Sequence, residues 1–242
     1  MLRLSAHSLL VSRVAHSPVC LRGRFRSDLQ SLRLVSTTHI TSLTRTCPSC
    51  GALLPARLPV CLSCNWISGV HNSIPFHELM GLPYSPNPFV VDTALLKRRF
   101  LEAQRICHPD AWATKTEPEK EAALELSNTV NAAYKTLTSP LHRIEYILKR
   151  NGVELEEADQ LNDFELINEI MEAREEIDNV QPGNADRLHG LRDENNAKIL
   201  QLVKMIERLV AKADWRETKN AAIRLKYLDG IEQAIRRRLE IM

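Results

Sequence analysis

Aromatic residues make up only 5% of this chain, and glycine only 8 of its 242 residues. Sheet-rich folds draw on both, aromatics to pack pleated faces and glycine to turn hairpins, so their scarcity disfavours one. Leu, Ala, Glu, Lys and Arg abound instead, and these residues hold helices most readily. No run of about 18 apolar residues occurs, so no membrane-spanning helix is expected. Acids are scarce in one stretch: residues 1–46 hold seven arginines, no lysine and a single acid, Asp28. The chain has 32 basic and 30 acidic residues in all, so the part beyond residue 46 carries 25 against 29 and is mildly acidic. Nucleic-acid binding needs clustered cations facing phosphates, and this balance argues against it. Gly-rich phosphate loops, paired catalytic carboxylates and triad spacings are lacking as well, so no enzyme is expected.

Rich in Arg, Ser, Leu and Thr, residues 1–46 have the composition of a mitochondrial transit peptide. A secretory signal would need an unbroken apolar core of roughly 7–15 residues. Here Leu9, Leu10 and Val11 run at once into Ser12 and Arg13. The expected destination is the mitochondrial matrix.

Beyond residue 46 stand two C-x-x-C pairs, Cys47 with Cys50 and Cys61 with Cys64. Two such knuckles can turn four thiolates toward one tetrahedral centre, and Gly51 lets the first knuckle fold back. Zinc suits a closed sulfur set, since it has no redox chemistry and accepts four thiolates readily. An iron–sulfur cluster could use the same ligands. Disulfides are disfavoured in a reducing compartment, and a C-x-x-C redox site needs a strand-to-helix setting absent here. His71 and His77 lie close enough in sequence to leave a fifth ligand open. With almost no core of its own, the module is expected to fold on metal binding. Cys50→Ser is expected to unfold it yet leave the function of the helical part beyond it mostly intact. Cys107 has no partner at ligand spacing and is read as packing.

From Ile74 to about Asn151 the pattern is helical. Asp92 can cap a helix running through Cys107, with Leu96, Phe100 and Ala103 on one face and Lys97, Arg98 and Arg105 on another, Arg99 at its border. His108-Pro109-Asp110 then interrupts, because Pro disfavours helix in the residue before it. A second long helix is expected from about Glu117, burying Ala122, Leu126, Val130, Ala133 or Tyr134, and Leu137. Two antiparallel helices joined through His-Pro-Asp, preceded by Phe76-His77-Glu78-Leu79-Met80-Gly81-Leu82 and carrying Asn131-Ala132-Ala133-Tyr134-Lys135 late in the second helix, resemble the J-domain of DnaJ-type co-chaperones. The resemblance implies that the tripeptide and the basic helix before it dock on a DnaK-type ATPase and stimulate it. Asp110 would accept hydrogen bonds from an arginine of that partner, Pro109 would stiffen the turn and His108 would fix it. Lys97, Arg98, Arg99 and Arg105 would steer the encounter, although each alone also suits an ordinary solvated helix face. Cys107 and His108 are adjacent on the chain and poorly placed to share a proton, so no Cys–His nucleophile is expected.

Ser139-Pro140 reads as a helix start and Asn151-Gly152 as its stop. Three longer helices are expected near 163–180, 185–212 and 217–241. The middle one repeats Leu188, Leu191, Asn195, Ile199, Leu202, Ile206, Leu209 and Ala213 as a seam. The first carries a core stripe, Leu166, Ile170, Ala173, Ile177 and Val180. Phe164, Ile167 and Met171 form a second stripe, continued by Glu175, which either widens the core or meets a partner. Leader, tetracysteine pairs, J-domain and helical bundle in this order resemble HscB-type co-chaperones, in their eukaryotic mitochondrial form. That resemblance implies binding of an IscU-type iron–sulfur scaffold through Ile167, Met171, Glu172 and Glu175, with Tyr227 as an aromatic contact. Asn168 departs from it, since some members carry an apolar contact residue there. The expected fold is all-α: a helical J-domain followed by a three-helix bundle, with a small N-terminal zinc-binding module. The expected division is leader 1–46, zinc module 47–73, J-domain 74–151 and bundle 152–242. A general J-protein for unfolded clients is the alternative, but its Gly/Phe-rich linkers and β-rich client domains have no counterpart here.

Overall fold

The computed structural model describes residues 46–54, 58–70, 74–155, 164–181 and 183–241, and residues 1–45 of the expected leader and His71 lie outside them. Among the described residues there are isolated antiparallel bridges and no strands. The helices are α1 (Phe76–Leu79), α2 (Thr93–Cys107), α3 (Glu117–Thr138), α4 (Pro140–Arg150), α5 (Phe164–Asn179), α6 (Ala185–Ala211) and α7 (Trp215–Ile241). The all-α expectation is borne out.

Each boundary has a local cause. The Asp92 carboxylate accepts the backbone N–H groups of Ala94 and Leu95 at 2.9 and 3.0 Å and opens α2. The helix stops because Pro109 holds His108 at extended angles, φ −60° and ψ 132°. α3 opens on a capping box in which the Glu119 carboxylate accepts the Thr116 N–H at 2.9 Å. Ser139 caps α4, with Pro140 at its first position, and Gly152 at φ +76° ends it in a conformation glycine adopts freely. α7 begins at Trp215, two residues before the expected start, because Asp214 accepts the Glu217 N–H there. The α6 seam also departs from expectation at its end. Ala213 lies beyond the helix at φ +54°, and Val210 takes the buried position.

Two cores result. α2 and α3 close one around Leu96, Ala103, Cys107, Leu126, Val130, Ala133 and Leu137, with Phe100 stacked on Tyr134 at 4.2 Å. Cys107 is fully buried, as its packing role requires. The other core lies among α4, α5, α6 and α7. α6 and α7 run antiparallel, tied by Arg192 to Glu232 and by Asn195 Nδ2 donating to the Leu228 carbonyl at 3.0 Å. α4 follows the first pair in sequence, yet its Leu141, Ile144, Ile147 and Leu148 belong to this second core.

Candidate metal centre and docking surfaces

The two cysteine knuckles are built alike. The Cys47 N–H donates to the Ala52 carbonyl and the Cys61 N–H to the Trp66 carbonyl, each at 2.7 Å. Gly51 at φ +72° and Asn65 at φ +58° turn the chain at matching places. Bridges between Thr46 and Leu53 and between Val60 and Ile67 close the two loops. The four sulfurs lie within 4.8 Å of one another, with Cys47 to Cys64 and Cys50 to Cys61 both at 3.5 Å. A tetrahedral zinc with bonds of about 2.3 Å needs sulfurs roughly 3.8 Å apart, so the residues fit the ion. The backbone N–H of Cys64 and other nearby donors pull the Cys61 thiol down to about 6. At Cys50 the Ala52 N–H favours the thiolate, but hydrogen bonding with Cys64 and Cys61 outweighs it and the thiol is pushed up to about 12. Four thiolates this close repel one another strongly, and a divalent cation removes that conflict. The ion would supply cross-linking of two loops that have little core between them.

The His108–Asp110 turn stands between α2 and α3. His108 Nδ1 accepts the Asp110 N–H at 3.3 Å, which leaves the proton of a neutral ring on Nε2. The Asp110 side chain is 92% exposed, so its carboxylate is open to a partner. Lys97, Arg98 and Arg105 are exposed on α2. Arg99 is half-buried and holds Glu102 at 2.9 Å, so it contributes less free charge. Leu101, exposed between Lys97 and Arg105, escaped the sequence reading because a single apolar residue in a basic run carries no periodic signal.

On the bundle, α5 buries Ile170 and Ile177, and Val180 just past its end is buried as well. Its second stripe faces solvent, with Phe164 80% and Met171 64% exposed, Ile167 half-buried, and Glu172 and Glu175 exposed. A Cβ on Gly230 of α7 would lie 3.5 Å from the Arg174 guanidinium, and Arg238 donates to the Val180 carbonyl at 2.7 Å. α5 and α7 therefore run parallel, which sets half-buried Tyr227 level with Met171.

An exposed His-Pro-Asp turn on an antiparallel helix pair, joined to a helical bundle with an apolar stripe of its own, defines a J-domain co-chaperone. A family model described as the HSCB C-terminal oligomerisation domain matches residues 162–236. The co-chaperone protein HscB homolog of Photobacterium profundum is 30% identical over 163 residues, which cover 66% of this chain and 94% of that one. The iron-sulfur cluster co-chaperone protein HscB of Homo sapiens is 31% identical over 163 residues, 67% of this chain and 68% of that one. The crystal structure of human co-chaperone protein HscB superposes with a TM-score of 0.68 at 28% identity, covering 79% of this chain and 97% of that one. The chain belongs to the HscB family of co-chaperones.

Proposed function

We propose that this chain serves iron–sulfur cluster assembly in the mitochondrial matrix by handing an IscU-type scaffold protein to a DnaK-type chaperone and stimulating that chaperone's ATPase. Residues 1–46 act as the transit peptide, 47–73 as the zinc module, 74–151 as the J-domain and 152–242 as the scaffold-binding bundle. The observation that carries the reading is the exposure of two chemically unlike surfaces on different helices. One is ionic: the open Asp110 carboxylate beside Lys97, Arg98 and Arg105. The other is apolar with an acidic margin: Phe164 and Met171 beside Glu172 and Glu175.

Hydrolysis is the partner's chemistry, and this chain contributes binding that favours the hydrolysing state. Asp110 accepts hydrogen bonds from an arginine of the chaperone, a charge-assisted contact among the stronger kinds. Pro109 and the His108 Nδ1 contact pre-shape the turn, which lowers the ordering cost of docking. The basic face steers association toward an acidic groove, with Arg99 in a supporting place. Ile167, Met171 and Tyr227 supply the apolar contact with the scaffold, and Glu172 and Glu175 its polar rim. Cys47, Cys50, Cys61 and Cys64 hold one zinc ion. Purified chain mixed with a DnaK-type chaperone and an IscU-type scaffold tests the reading: co-elution with the scaffold and a raised ATPase rate are expected, and the absence of both overturns it.

A further inference from the structure

The second knuckle is not a free appendage. Leu58, Val60, Ile67 and Val70 are all buried, and they belong to the same apolar cluster as α1, α2 and α3. The approach is close as well: a Cβ on Gly69 would clash with the carboxylate of Glu125 on α3. The first knuckle lacks this seat. Leu53, which matches Ile67 in the repeat, is 69% exposed where Ile67 is 5%. The hairpin 58–70 therefore completes the core beneath α3, while the sulfur centre ties the first knuckle to it.

That core also holds the His-Pro-Asp turn. None of the turn's three side chains is buried. Its position comes from Cys107 just before it and Trp112 just after it, both in the cluster, with Trp112 Nε1 donating to the Ile106 carbonyl at 2.9 Å. Whatever loosens the hairpin uncovers the cluster that sets the turn.

We propose that the tetracysteine module is a metal-dependent brace of the J-domain: with zinc bound the hairpin stays seated and the turn keeps its docking shape, and zinc loss weakens chaperone activation while leaving the bundle intact. This rests on the co-chaperone reading above. The hairpin has few backbone hydrogen bonds of its own, chiefly Cys61 to Trp66 and Ser68 to Pro59. Its order is thus shared between the sulfur centre and its seat, and removing one weakens the other.

The test uses the whole chain, zinc-loaded, chelator-stripped and reloaded with Zn²⁺, together with Val60→Ser, which keeps all four sulfurs. Amide exchange is read alongside the concentration of chain giving half-maximal ATPase stimulation. Stripping is expected to speed exchange in 106–112 and 117–133 by about tenfold or more, to leave 188–235 unchanged, and to reverse on reloading. Val60→Ser is expected to do the same with its zinc content intact. Half-maximal stimulation should require several-fold more stripped chain, and scaffold affinity should not move. Faster exchange confined to 46–70, with stimulation unaltered, overturns the brace. A zinc-loaded chain that never stimulates the ATPase overturns instead the co-chaperone reading on which the brace depends.

Discussion

Replacing Phe164 and Met171 together by alanine should abolish most scaffold binding at little cost in stability. Fully burying such a side chain is worth about 1.5–3 kcal/mol. Met171 is 64% exposed and Phe164 80%, so in the free protein they hide only about a third and a fifth of themselves. The double truncation should therefore cost about 1 kcal/mol of folding energy, a loss of several degrees in melting temperature. Interface anchors typically lose about 1–4 kcal/mol each, so about 3 kcal/mol for the pair means a scaffold affinity weaker by roughly a hundredfold. Ile177→Ala is the control, since Ile177 is 1% exposed on the opposite face of the same helix. It should cost about 2–5 kcal/mol of stability and leave the affinity of the folded protein unchanged. Ile167 and Tyr227 are half-buried, and Tyr227 packs against the core, so their truncation would mix the two effects. Calorimetric titration with scaffold, run beside thermal melts, reads both quantities. Scaffold affinity within about twofold of the parent refutes the surface, and a melting temperature lower by more than about 10 °C refutes the exposure argument.

His108→Gln should remove stimulation of the partner ATPase while scaffold titrations stay unchanged, and an unaltered stimulated rate would sink the docking role of the turn. One zinc per chain should be found, with four sulfurs at about 2.3 Å by X-ray absorption; visible iron–sulfur absorbance, or four free thiols without metal, would exclude it. Stability should fall on acidification through His77, which is fully buried with Nε2 2.8 Å from the Pro88 carbonyl. Burial foremost, with Arg143 and Arg150 adding to it, holds its pKa below the ordinary 6.5 against the pull of the Pro88 carbonyl. Below pH 6.5 the unfolded chain takes up a proton that the folded chain refuses, a loss of up to about 1.4 kcal/mol per pH unit until the folded group titrates. Urea melts on either side of that pH should show this slope in the parent and lose it in His77→Gln; equal slopes would assign it to other groups.

Helix ends were legible wherever a side chain terminates a helix by itself. Asp92, Ser139-Pro140 and Asn151-Gly152 each act within four residues of the chain. The start of α7 is marked in the same way, by Asp214 three residues ahead of Glu217. The four cysteines declared themselves because two knuckles at short spacing leave the sulfurs little choice of partner. The seat of the second knuckle did not. Val60 stands between Pro59 and Cys61 and Ile67 between Trp66 and Ser68, and isolated apolar residues of this kind do not show what covers them. The same limit applied to α4, whose apolar spacing fits either core. The few apolar residues of the cysteine module predict that metal alone supplies its folding energy. The structure instead counts them into a larger cluster.

How the two surfaces are held relative to each other is decided in the segment just before α2. Phe89 is 2% exposed and sits in the bundle core, although the chain then runs directly into α2. Its carbonyl accepts Arg143 Nη1 at 2.8 Å, and its ring lies 5.4 Å beneath the same guanidinium. Arg143 also donates to the Leu137 and Thr138 carbonyls at 2.7 and 3.2 Å, so one buried cation ties the end of α3 to the segment before α2. Burial of an arginine is costly unless its donors are filled, and these carbonyls fill three of the five. Asn87 extends the join to α6 by donating to the Glu207 carbonyl at 2.8 Å, and His77 reaches Pro88 from α1. Residues 87–89 thereby share hydrogen bonds with α1, α4 and α6, elements that belong to both cores. The join is thus made by hydrogen bonds of the protein itself rather than across a solvated linker. The surfaces proposed for chaperone docking on α2 and client contact on α5 are accordingly presented from one scaffold, whose geometry neither partner would need to order on arrival.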